Sequence, residues 1–124
     1  MGTTYSRRHV VISSASDLII GDHIFWPMAG FSHHHAIVTA WKGGDKVIVV
    51  HVANTANGHE VCEQLIDLGH IIRQGKLYRY DDDPQQVCEP YDVIVRARSM
   101  LGRKYDILGN NSERFVLWCK CTTE

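Results

Sequence analysis

Two stretches rich in β-branched and small apolar residues, 33–41 and 46–53, flank Gly43-Gly44. Paired glycines between strand-like runs are a strong hairpin signal, because tight hairpin turns need positive φ. A turn centred on them sets Lys42 opposite Asp45, Ala36 opposite His51 and His34 opposite Ala53. Directly paired residues share a face, and so do residues two apart along one strand. His34 and His51 therefore fall on one face as diagonal neighbours, roughly 7–8 Å apart at the backbone. His33 and His35 point the other way. A three-residue bulged loop would reverse this parity. The face with His34, Ala36, Val38, Val49 and His51 is small and apolar apart from its imidazoles, a surface on which a helix can pack.

The helix that suits it is near the C-terminus, in the run Asn110-Asn111-Ser112-Glu113-Arg114-Phe115-Val116-Leu117-Trp118. Asn111 is a good N-cap, and Ser112 lies in the first turn, at the positive end of the helix dipole. Phe115, Val116 and Cys119 follow Ser112 at helical spacing, so Ser112 opens the apolar stripe. A hydroxyl there is either an ordinary cap or a nucleophile of the thiol- or serine-hydrolase type. Packed on the hairpin, it would meet His34, with His51 behind: a nucleophile, a base and a group orienting the base. The bland alternative is two half-buried histidines with local hydrogen bonds.

The remaining chain is ordinary for a globular domain. Its 124 residues, 44% hydrophobic and 22% charged, suffice for one core. A net charge of −1 without a basic block gives nucleic acid no electrostatic support as a partner. No apolar run is long enough to span a membrane and no secretory signal precedes the domain. Four scattered cysteines suggest free thiols in a reduced, cytoplasmic protein. Residues 1–17 read as a flexible leader, although His9-Val10-Val11-Ile12 could pair at a sheet edge, and 18–124 as a single domain. Gly2 with Ser6 fits a myristoylation pattern, but Met-Gly is also a common start. Leu18-Ile19-Ile20, the turn Gly21-Asp22 and the strand His23-Ile24-Phe25-Trp26, stopped by Pro27, lead into the hairpin.

After it, 54–58 reads as a loop, 60–68 as a weak helix or irregular crossing, and Ile71-Ile72 and 77–80 as short strands. Asp81-Asp82-Asp83-Pro84 reads as a solvated turn. The clearest helix is 90–101, with Pro90 in its first turn, Val93, Ala97, Met100 and Leu101 on its apolar stripe and Gly102 at C′. Strands first and helices last imply an α+β domain, an antiparallel sheet covered on one face by C-terminal helices. No metal is expected: three consecutive histidines cannot all face one ion from a strand, and the pair Cys119 and Cys121 lacks CxxC spacing. Nor does any motif call for a cofactor.

Taken together, His34-His35-Ala36-Ile37-Val38, Val50-His51-Val52, Ala97-Arg98-Ser99-Met100-Leu101-Gly102 and the run from Tyr105 through Ser112 to Trp118-Cys119-Lys120 resemble the lecithin retinol acyltransferase-like domain. That superfamily includes the phospholipase A/acyltransferases and picornaviral H-box/NC proteins. The resemblance covers about Gly21 to Lys120, in the family's order, with Gly21-Asp22 matching the Gly-Asp that opens such domains. It implies a permuted papain-like fold and acyl transfer or hydrolysis through a covalent acyl-enzyme, with glycerophospholipid as acyl donor. The family's H-x-A-I base falls on His34, its orienting imidazole on His51, and its nucleophile on position 112 beside Asn111.

The family motif Asn-Cys-Glu-His-Phe is here Asn111-Ser112-Glu113-Arg114-Phe115. A helix dipole and an imidazole can ionise a thiol of pKa ~8.5, but not a serine hydroxyl. Serine must lose its proton during attack and needs a well-formed oxyanion hole. Weak or no turnover is therefore expected. Three explanations compete: a deliberate replacement, a natural pseudoenzyme that docks to a protein or membrane partner, and a working serine. A lipid substrate predicts an apolar rim, for which Trp26, Met28 and Phe31 are candidates, and peripheral contact with membranes. A peptidase or amidase on the same fold is a third class.

Overall fold

The computed structural model describes residues 7–30, 32–105 and 111–122. Gly2 and Ser6 of the myristoylation pattern, Phe31 of the expected rim and Asn110 lie outside them. The fold is α+β. Seven strands form one antiparallel sheet in the order β1-β6-β2-β3-β4-β5-β7. They are β1 (Arg8–Val11), β2 (His23–Pro27), β3 (His33–Trp41), β4 (Lys46–Thr55), β5 (Gly58–Asp67), β6 (Tyr78–Asp81) and β7 (Lys104–Tyr105), with helices α1 (Gly69–Arg73), α2 (Pro90–Ser99) and α3 (Asn111–Cys119).

The β3–β4 hairpin reaches the expected pairing by an unexpected route. Its loop has three residues, Gly43 to Asp45, closed by Lys42 N–H donating to Lys46 O at 2.9 Å and Lys46 N–H to Gly43 O at 3.1 Å. Lys42 thus faces Lys46 and not Asp45, and near the loop the pairs are Trp41 with Val47 and Ala40 with Ile48. A bulge between Val38 and Ala40 then removes the offset, giving Val38 with Val49 and Ile37 with Val50. Two irregularities of one residue each cancel, because the side-chain period is two. His34 and His51 end on the same face.

Several expectations need correction. Residues 60–68, read as a weak helix, are most of β5, which pairs with β4 over ten residues from Lys46↔Asp67 to Thr55↔Gly58. The loop at 54–58 shrinks to a turn at Ala56-Asn57. Ile71-Ile72 lies in α1, not in a strand. From Arg7 onward the leader is part of the fold: β1 pairs with β6, and Ile12 and Ala15 are buried. Cys88 and Cys121 form a disulfide, against the expectation of free thiols, while Cys62 and Cys119 remain free. The solvated-turn reading of the aspartate run fails at Asp82, which Arg7 grips through Nε and Nη2, both at 2.7 Å.

Both faces of the sheet are covered. One packs Ile24, Ala36, Val38, Val47 and Val49 against Ile12, Ala15, Leu18, Leu68 and Leu77, with Ile71 and Ile72 of α1 alongside. The other packs Ile37, Val50, Val52 and Val61 against α2 (Val93, Ile94, Ala97) and α3 (Phe115, Val116, Cys119). The α3 helix therefore lies on the face opposite Ala36, Val38 and Val49, not on them as the hairpin reading anticipated. Alternation runs apolar on both sides of β3 and β4, so periodicity alone carries no preference for either face.

Candidate active site

His34 and His51 come together as the pairing requires. His34 Nε2 lies 2.7 Å from His51 Nδ1, and His51 Nε2 lies 2.9 Å from Gln64 Oε1. An amide oxygen only accepts, so His51 carries its proton on Nε2 and presents a lone pair at Nδ1. His34 must then donate from Nε2, which leaves the lone pair of His34 on Nδ1. Three side chains from three adjacent strands thereby fix the tautomer of His34. Gln64 was missed because β5 was not read as a strand; its place opposite Val49 puts it diagonal to His51.

Burial, reinforced by the neighbouring His51, pushes the His34 imidazole down to about 4. Burial also lowers His51, against the opposing hydrogen bond to Gln64. Both rings are neutral at neutral pH, which suits a general base. The Trp26 ring packs 4.9 Å from that of His34, centre to centre, and Met28, two residues on in the chain, is half exposed.

On the α3 face a second pair forms. His23 Nε2 lies 2.8 Å from His35 Nδ1, and His35 Nε2 lies 3.7 Å from Glu113 Oε2. Burial, with His33, His34 and Arg7 adding repulsion, lowers His35 to about 4. At neutral pH the contact with Glu113 is accordingly one between a neutral ring and a carboxylate, not an ion pair.

Glu113 follows Ser112, so the first turn of α3 sits at the His33–His35 end of β3. The helix begins at Asn111 itself, and Ser112 is half-buried in its first turn. His34 and His51 share the face of Ala36, Val38 and Val49 while α3 packs on the other, so the structure does not bring Ser112 up to them as the hairpin reading expected, and among the described residues no hydrogen bond joins Ser112 to either. Cys119, whose thiol burial pushes up to about 12, is no substitute nucleophile. Among the described residues no group of three or more histidine, cysteine or acidic side chains is arranged to hold a metal.

The model of one protein family, lecithin retinol acyltransferase, matches residues 16–124. The chain belongs to this family. Membership brings acyltransferase- or phospholipase-like chemistry on lipid substrates. Comparison with curated proteins and with solved structures gives no match. Among the described residues, no helix of this family member is long and apolar enough to cross a membrane.

Proposed function

We propose that this chain takes an acyl group from a glycerophospholipid ester onto position 112 and passes it to water or another acceptor. The observation that supports this reading is the His34–His51–Gln64 chain, which leaves a lone pair on His34 Nδ1. As Ser112 Oγ attacks the ester carbonyl, His34, which lies on the sheet face opposite α3 and has to be reached round the end of β3, accepts the hydroxyl proton, and the backbone N–H of residue 112 stabilises the oxyanion. Collapse breaks the ester C–O bond, and His34 returns the proton to the departing alcohol. His51 holds the base in register, Asn111 supports the turn, and no cofactor takes part. Serine makes the first step slow. Met28 and Trp26 offer the substrate an apolar rim, and the protein works peripherally at a membrane surface.

One observation favours a second reading of the base. The α3 helix packs on the face to which His35 belongs, and Glu113 reaches His35. Intact-mass spectrometry after incubation with a short-chain phospholipid decides between them. The Ser112→Cys protein should gain one acyl group, and Ser112 itself little or none. Adding His34→Ala should abolish the adduct, whereas adding His35→Phe should slow its formation without abolishing it. The reverse pattern transfers the base role to His35. With folded protein and no adduct in any form, a non-catalytic docking module takes over.

A further inference from the structure

With His34 as the base, the His23–His35 pair takes no part in the proton transfer. Pairing of β2 with β3 sets Phe25 opposite His35 and His23 opposite Ile37, so both imidazoles lie on the α3 face. Both are buried, and His35 stacks on the Phe25 ring at 5.3 Å. Among the described residues, buried His23 Nδ1 has no hydrogen-bond partner. A buried lone pair without a partner is tolerated better than a buried N–H. His23 therefore carries its proton on Nε2 and donates to His35 Nδ1, which leaves the proton of His35 on Nε2. His35 Nε2, which carries that proton, lies 3.7 Å from Glu113 Oε2, a contact longer than a hydrogen bond. Closing the gap by about 0.8 Å brings the pair to hydrogen-bond length.

We propose that His23 and His35 are positioning residues: together they hold Glu113, and with it the first turn of α3, against the end of β3. The inference rests on position 112 being the nucleophile. Its parts act in series. His23 sets the tautomer of His35, His35 offers a neutral donor, and the carboxylate receives it at the helix end where the dipole also favours negative charge. Glu113 and His35 line a cavity of about 360 Å3 together with His9, His33, Tyr78 and Tyr80.

The test is a double-mutant cycle read by hydrogen exchange. The amides of residues 115–117 bond back to the carbonyls of the first turn and report its opening. His35→Phe keeps the ring and its stacking but loses the donor; Glu113→Gln loses the charge. Each should speed exchange at 115–117 roughly tenfold, and the double variant should be no faster than either. His35→Gln, which retains a neutral N–H, should restore protection. In the Ser112→Cys background the same two changes should lower kcat for acylation with KM unchanged. Additive effects, or unchanged exchange, overturn the proposal. Coupled exchange without an acyl adduct on any form overturns the functional reading and leaves the anchoring in place.

Discussion

Four histidines carry the polar chemistry of the sheet, and the sign of their titration is common to all. Burial comes first among the causes that lower His23, His34, His35 and His51. In the unfolded chain each titrates near the ordinary ~6.5. A base with a depressed folded pKa stabilises the native state fully above the unfolded value. That stability is lost as pH falls from about 6.5 towards the native value, about 4 for His34 and His35. Asp22 acts in the opposite sense, since burial raises its carboxyl, but it is one group against four. The thermal midpoint, followed by circular dichroism, should be flat above about pH 7 and drop steeply between about 6.5 and 4.5. Replacing His34 and His35 together by glutamine should flatten the drop. A midpoint indifferent to pH in that window would mean that the rings are not held neutral.

At the level of elements, the turn before β2 is the tightest junction. Gly21 has φ +88°, and a Cβ there would lie 2.9 Å from Pro90 Cα, the first residue of α2. Its N–H donates to Val38 O at 2.7 Å, so backbone at this point touches both β3 and α2. Gly21→Ala meets a left-handed penalty of about 1–2 kcal/mol and a backbone clash that side-chain motion cannot relieve. Urea unfolding should show a loss of about 2–4 kcal/mol, against under 1 for an alanine on the exposed face of α2.

The hairpin was legible because glycines mark its turn and alternation marks its strands. Its loop length and the bulge near Thr39 left no trace, and their cancellation preserved the pairing of His34 and His51. The strand β5 was hidden by polar residues such as Glu63 and Gln64, which face partners on β3 and β4: Thr39 for Glu63, at 2.8 Å, and His51 for Gln64, at 2.9 Å. The face taken by α3 was illegible for a different reason, since both sides of β3 are apolar. The choice depends on Leu68, Leu77 and the N-terminal segment, which already fill the other side.

Across the whole molecule, the two chain ends described are tied to the middle at one place. Lys120 Nζ donates to Gly21 O at 3.1 Å and lies 3.6 Å from Asp82, which Arg7 holds from the N-terminal side. Beside this knot Cys88 N–H donates to Lys120 O at 3.0 Å, and the disulfide to Cys121 closes a span of 33 residues that contains α2 and α3. The packing of α3 alone is modest, nine residues with three of them buried, so its far end depends on this bond. A loop of that size implies about 3–4 kcal/mol on the chain-entropy account. Such a bond persists in oxidising surroundings and is lost in reducing ones. Unfolding in urea with and without dithiothreitol should separate by that amount, and Cys88→Ser should match the reduced protein in both conditions. Because Cys119 stays buried in the core, thiol counting on the native protein should rise from one, Cys62, to three on reduction, with Cys119 unreactive. Equal stability with and without the bond would place the whole support of α3 in its apolar stripe, and the knot of Arg7, Asp82 and Lys120 would then fix only the N-terminal segment.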